Sequence, residues 1–282
     1  MSRPSYSTTL RYLSLLALLA MGGCSGSDSP GATRTQSAAT RPSILLVTLD
    51  TTRADAIGPD ARGVSTPSFN ALAARGARFT RAYATAPETL PSHSSMMTGL
   101  YPAGHGIHEN ARVLSDKHPV LAEELGRQGY RTAAFVSSFV LARRFGLARG
   151  FNTYDDEMPQ GSAERNAVAT TERALAFLKS SSSGPLFLWV HYFDPHTPYE
   201  PPQEFNGKSA TPYLGEVAAM DAQLGRLVAA FESLAPGPRA MLVTGDHGEG
   251  LGDHGEPQHG HLLYEPTMKV PLAIVGPGIR PA

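Results

Sequence analysis

Continuous apolar runs alternate along the chain with segments whose apolar residues recur at helical spacing. Ser43–Leu49 (SILLVTL), residues 185–192 (PLFLWVHY), 240–244 and 270–275 are short apolar runs, as in strands buried on both faces. A further strand is predicted at residues 131–136. Thr66-Pro67 opens a helix by an N-cap and a proline in the first turn, and Gly76 closes it. Helices are also predicted at residues 119–128, stopped by Gly129, at 162–179 and at 213–234. This rhythm predicts an α/β fold, a three-layer sandwich with a mainly parallel central sheet flanked by helices. In such sheets ligands sit outside the carboxyl ends of the strands.

Three strand ends carry chemistry. The first strand runs into Asp50-Thr51-Thr52-Arg53-Ala54-Asp55, and the strand at 240–244 into Gly245-Asp246-His247-Gly248-Glu249. The strand at 185–192 leads through His191 into Phe193-Asp194-Pro195-His196. Carboxylates and imidazoles delivered to one sheet edge suit a divalent metal with mixed oxygen and nitrogen ligands. A fourth piece is Thr89-Leu90-Pro91-Ser92-His93, opening a short helix that ends at Gly99. Thr89 there is either a helix cap or a hydroxyl nucleophile beside unpaired N–H groups suited to an anionic ester. Arg53 and Asp55 are expected to pair structurally, and Asp221 to be a surface or helix-packing residue. His254 and His261 are expected to be solvated loop residues, Tyr199 a pocket wall, and His105 and His108 not ligands.

Composition narrows the picture. Lys and Arg number 24 against 25 Asp and Glu, a net charge of −1, so no basic surplus exists to bind nucleic acid. The only cysteine is Cys24, which excludes an intrachain disulfide and a multi-thiolate zinc module. Residues 1–12 carry Arg3 and Arg11 without an acid, and the apolar run at 13–21 is far shorter than the roughly 20 residues that span a bilayer. Met21-Gly22-Gly23-Cys24-Ser25 resembles a bacterial lipobox. Residues 1–24 therefore read as a lipoprotein signal peptide, 25–41 as a flexible tether and 42–282 as the catalytic domain. The expectation is export, with a lipid anchor at Cys24 holding the protein to the bacterial cell envelope; no protein partner is predicted.

Taken together, ILLVTLDTTRAD, TLPSHSSMMTGLYPAGHG, FDPHTPYEPP and GDHGEGLGDHG followed by YEPTMKVPLAIVGPG resemble the sulfatase family of the alkaline phosphatase superfamily. The resemblance covers residues 42–278 and implies a metal-dependent hydrolase or transferase acting on sulfate or phosphate esters through a covalent intermediate. It implies metal ligation at Asp50, Asp246 and His247, and a nucleophile at Thr89. Typical sulfatases carry Cys or Ser in C/S-x-P-S-R, oxidised to formylglycine; threonine cannot yield that aldehyde, and His93 replaces the Arg. Thr51 replaces the second Asp of the sulfatase pair, and Ser137-Ser138-Phe139 replaces a Lys-Trp-His element. His259 stands thirteen residues after Asp246, where sulfatases have Lys.

These departures resemble the phosphoethanolamine transferases and lipoteichoic acid synthases of the same superfamily, and so imply phosphoester over sulfate chemistry. Imidazole in place of hard oxygen favours zinc or manganese, with calcium as the alternative. His196 and His259 are expected to bind ester oxygens or protonate the leaving group. His93 and Asn110, the latter twenty-one residues after Thr89, are expected to bind substrate. A sulfuric ester hydrolase and a non-catalytic binding lipoprotein are the competing readings. Sulfatase-like chains usually continue beyond VPLAIVGPG, so the expectation is a truncated member or one whose last sheet edge is supplied differently.

Overall fold

The computed structural model describes residues 41–180 and 183–282. Cys24, the expected signal peptide and the tether up to residue 40 lie outside the described residues. Among those described, no helix is long and apolar enough to cross a membrane.

Seven strands form one sheet: β1 (Ser43–Leu49), β2 (Ala77–Tyr83), β3 (Arg131–Phe135), β4 (Thr153–Asp155), β5 (Leu186–Tyr192), β6 (Arg239–Gly245) and β7 (Lys269–Val275). Their order across the sheet is β2-β7-β6-β1-β5-β3-β4. The five strands from β6 to β4 run parallel, whereas β7 is antiparallel to both β6 and β2. The mainly parallel sheet is as predicted. The last strand, however, is not the sheet edge, because β2 pairs along it. Strand β2 escapes the apolar pattern because Arg78 and Arg81 interrupt it and its residues are mostly half-buried or exposed.

The helices are α1 (Pro67–Ala74), α2 (Thr89–Thr98), α3 (Pro102–His105), α4 (Leu121–Arg127), α5 (Ala167–Lys179), α6 (Pro212–Leu234) and α7 (Glu265–Met268). Alternate residues of β1 divide the core between the two faces. Leu45, Val47 and Leu49 pack with α1, α5 and α6, while Leu46 joins Phe187, Trp189 and the Leu90 and Met97 side chains of α2. The result is the three-layer sandwich that the strand and helix rhythm demands.

One helix start and one helix cap depart from expectation. Helix α5 begins five residues later than predicted, where the Asn166 side chain accepts from the Ala169 N–H at 2.9 Å. Thr66 precedes α1 without capping it by its side chain; Asp221 of α6, fully buried, does so instead. Its two oxygens accept the N–H groups of Ser68 (2.9 Å) and Phe69 (2.8 Å), tying α1 to α6. Burial pushes the Asp221 carboxyl up, although these N–H donors oppose the shift. Asp221→Ala is expected to lower the unfolding free energy by roughly 2–3 kcal/mol, because it orphans one buried and one partly buried donor. Urea titration checks this, and a loss within 0.5 kcal/mol on that order-of-magnitude scale would deny the cap its weight.

Candidate active site

Parallel register builds the site. Leu49 of β1 lies beside Tyr192 of β5 and Gly245 of β6, so the next residues, Asp50 and Asp246, emerge side by side. The Asp50 N–H donates to the Tyr192 carbonyl and the Asp246 N–H to the Leu49 carbonyl, which fixes both backbones. Helix α2 approaches from the other layer with Thr89 as its first residue. Glu88 holds the N-cap position without a side-chain cap, and Gly99 closes the helix in the left-handed region at φ 71°. Thr89 therefore does not act as the cap. Its Oγ1 lies 3.3 Å from Asp50 Oδ2 and 3.3 Å from His247 Nε2.

The donor set fits a divalent cation. His247 gives its Nδ1–H to the Gly248 carbonyl at 2.9 Å, leaving the Nε2 lone pair facing Asp50 Oδ1 (3.7 Å) and Asp246 Oδ2 (3.6 Å). Those two carboxylate oxygens are buried and have no hydrogen-bond partner. Burial brings the His247 ring down to about 4, so the imidazole is neutral around pH 7. Burial alone would raise Asp50, but the His191 hydrogen bond and the surrounding imidazoles hold it well below the usual carboxylate range. Burial and the Asp50 charge push Asp246 well up. Two buried carboxylates facing one neutral imidazole lack a counter-charge, and a metal ion would supply it. Gly248 makes the turn possible, since a Cβ there would sit 1.9 Å from the Pro266 carbonyl oxygen.

A second triad among the described residues, His93, His191 and Asp246, has its nitrogens committed elsewhere. The Trp189 indole N–H can only donate, and it does so to Thr48 Oγ1 at 3.0 Å. Thr48 then donates to His93 Nε2 (2.9 Å), and His93 Nδ1–H donates to the Thr89 carbonyl (2.8 Å). His191 accepts from the Ser137 N–H at Nδ1 and donates Nε2–H to Asp50 Oδ2 at 3.1 Å. Asp50, Asp246 and His247 are thus the set with free lone pairs. His93, expected to touch substrate, is fully buried, with burial taking its ring down to about 3. It positions the backbone of Thr89 instead, because both its nitrogens are spent.

The remaining expected residues flank this cluster. His259 packs 4.5 Å from the His247 ring and 5.3 Å from that of His196, so the three imidazoles form a row. His196 stacks on Phe193 with centroids 4.2 Å apart. Glu249, which the sequence reading passed over, is buried and accepts the His259 Nδ1–H at 3.1 Å and the Tyr199 hydroxyl at 2.9 Å. Burial opposes protonation of His259, but the Glu249 bond and charge outweigh it and raise the ring. Asn110 accepts from the Leu90 N–H through Oδ1 at 2.9 Å, so it caps α2 directly after Thr89. His191 was equally unmarked as a site residue, although a histidine inside an apolar strand was its signal. Thr51 turns its hydroxyl to the Pro195 carbonyl and sits at φ 46°, a strained value for a β-branched residue. Arg53 clamps Asp55 and Asp253, His254 and His261 are exposed, and His105 is structural through Ser95 and the Ile107 N–H.

The sulfatase family model matches residues 42–282. The chain belongs to the sulfatase family. It is 23% identical to the ulvan-active sulfatase of Formosa agariphila, over 96% of this chain and 63% of that protein. It is 22% identical to an arylsulfatase of Clostridium perfringens, over 84% of this chain and 69% of that one. The sequence therefore spans about two thirds of the length of these sulfatases. Among solved structures, the phosphonate monoester hydrolase of Agrobacterium radiobacter superposes with a TM-score of 0.69 at 20% identity, over 83% of this chain and 68% of that one. That of Silicibacter pomeroyi gives 0.71 at 20%, over 86% and 69%. These likenesses establish the alkaline phosphatase-like fold.

In this sulfatase-family chain, a divalent metal at a hundredfold excess over its Kd is expected to add about 2.7 kcal/mol of stability. Asp246→Asn is expected to leave the metal-free protein at least as stable, by removing one of two like charges, and to abolish that gain. Thermal melting with and without zinc, manganese or calcium reads both effects; a variant that still gains would move the metal elsewhere.

Proposed function

We propose that this protein is a metal-dependent ester hydrolase or transferase that prefers phosphoesters and works through a covalent intermediate on Thr89. The observation that carries this reading is the Thr89 hydroxyl, buried between Asp50 Oδ2 and His247 Nε2 at 3.3 Å from each. A cation held by Asp50, Asp246 and His247, with zinc or manganese favoured over calcium, would stabilise negative charge on the ester and on a deprotonated hydroxyl.

The chain's own residues supply the remaining roles. The Thr89 hydroxyl points its proton at Asp50 Oδ2, which orients it, and a cation at the site would lower the hydroxyl pKa so that the proton leaves to water. Thr89 Oγ1 then bonds to phosphorus while the bond to the leaving alcohol oxygen breaks. His259, held by Glu249 through Nδ1–H, gives a proton to that alcohol, and His196 beside it binds an ester oxygen. Water or an acceptor alcohol cleaves the Thr89 phosphoester and restores the hydroxyl. The His93 bond to the Thr89 carbonyl fixes the nucleophile's backbone, and the Asn110 amide stands next to it for a substrate oxygen.

Sulfate-ester hydrolysis is the competing reading, favoured by the names of the relatives. Against it stand a threonine that cannot become formylglycine and the histidines at 93 and 259 where sulfatases place cations. Rates on aryl sulfate, phosphate monoester and phosphodiester decide between them, and a phosphodiester rate above the sulfate rate is expected. In that assay Thr89→Ala is expected to lose about three orders of magnitude or more, and Glu249→Gln and His259→Gln about two. A Thr89→Ala enzyme that keeps most activity while Asp246→Ala loses it would shift attack to a metal-activated water.

Lipid-anchored export belongs to the same proposal and rests on the Met21–Ser25 segment. Radiolabelled palmitate is expected to enter the wild type and not Cys24→Ala; equal labelling would remove the anchor.

A further inference from the structure

The two ends of the sheet are not charged alike. Asp50, Asp194, Asp246 and Glu249 follow the carboxyl ends of β1, β5 and β6. The amino ends form one continuous edge. There the Ser43 N–H donates to the Pro238 carbonyl, the Arg131 N–H to the Pro185 carbonyl and the Tyr130 hydroxyl to the Pro42 carbonyl. Arg131 opens β3, Arg239 opens β6, Arg41 precedes β1, and Lys179 closes α5 shortly before β5. Arg280 joins them, because antiparallel β7 ends beside the start of β6 and the Ala282 N–H donates to the Gly76 carbonyl.

These cations have no acid to answer them. Arg75 and Arg127 lie at the same edge and are paired, with Glu232 at 2.6 Å and with Glu124. Among the described residues, Arg41, Arg131, Lys179, Arg239 and Arg280 form no such ion pair. Carbonyls and a ring hold three of them instead. Arg41 donates to the Gln128 carbonyl, Arg239 to the Ala235 carbonyl at 2.8 Å, and the Arg131 guanidinium lies 4.3 Å from the Phe177 ring centre. Burial lowers Arg131 with no carboxylate to offset it, yet a guanidinium stays charged. The seven residues of β1 carry the chain about 20 Å from this edge to the site, well beyond a Debye length of about 8 Å. The acids of the site therefore do not cancel the charge of the edge. A chain of net charge −1 presents a positive face by placement and not by surplus.

The chain enters the fold through this same edge. Residues 25–40 join Cys24 to Arg41, and a segment of that length reaches at most roughly 55 Å. A lipid at Cys24 would keep the edge near a bilayer, where anionic headgroups attract Lys and Arg. We infer that the amino edge of the sheet docks on an anionic lipid surface, with the candidate active site on the far side of the domain. The inference rests on the lipid-anchor reading above and gives the anchored domain a fixed attitude. The site then opens to water and takes its ester from there, not from the leaflet that holds the anchor.

Partitioning of the full chain onto phosphatidylcholine vesicles with and without phosphatidylglycerol tests it, in a Cys24→Ala background so that no acyl chain contributes. Tighter binding to the phosphatidylglycerol vesicles is expected. Salt at about 1 M is expected to erase the difference, since the Debye length is then about 3 Å. Arg41→Gln, Lys179→Gln and Arg280→Gln together remove three exposed cations of the edge. At about fivefold per cation they are expected to lower that partitioning about a hundredfold. Arg62→Gln, Lys117→Gln and Lys208→Gln together change the net charge equally, from exposed loops that precede α1, α4 and α6, and are expected to cost far less. Equal losses in the two triple variants would leave only net charge and overturn the inference. So would equal binding to both kinds of vesicle, or partitioning untouched by the edge variants, which would give the binding to residues 1–24. Absence of palmitate on the wild type with the edge effect intact would defeat the anchor and leave the docking face standing.

Discussion

Two buried carboxylates that share one space govern this structure. Asp50 and Asp246 are brought together by parallel strands whose backbone bonds cannot slip without turning every side chain to the opposite face. The two groups titrate as a unit, one pushed down and the other up, because both cannot be charged in a dry site without a counter-ion. The neutral His247 ring and the Thr89 hydroxyl complete a set of donors around that conflict. A divalent cation bound there would relieve that conflict, and the surrounding fold holds the two groups in place.

The rigidity of this cluster comes from groups outside the proposed chemistry. Trp189, at the centre of one core, starts a line of hydrogen bonds through Thr48 and His93 to the carbonyl of Thr89. Both ends of the line are one-way, an indole that only donates and a carbonyl that only accepts, so the His93 tautomer is set by its neighbours. His191 does the same for Asp50, and Glu249 for His259. The candidate site residues are thus held by hydrogen bonds from buried neighbours.

Legibility in the sequence followed burial. Strand β1 was readable to the residue because both its faces are covered, and the acid after it was readable because strand ends carry ligands in such sheets. Strand β2 was not, since its Arg78 and Arg81 belong to an open edge. Asp221 passed for a surface or helix-packing residue because the helix it caps is 152 positions away from it at Phe69. His93 looked like a substrate ligand by its place in the motif; only three dimensions reveal that Thr48 and the Thr89 carbonyl occupy its two nitrogens. Glu249 was hidden too, defined by Tyr199 fifty positions away as well as by His259, whereas His191 showed only as a histidine inside an apolar strand.

The separation of the ligands has a kinetic meaning. Asp50 stands near the start of the described domain and Asp246-His247 near its end, so no early fragment of the fold contains a complete set of donors. The contacts that join them span most of the chain, so the entropy of closing that long segment has to be met before the donors can meet. A divalent ion held by this set would therefore be taken up by the assembled fold and not by an early fragment of the chain, so its affinity would be tied to the stability of the whole sheet.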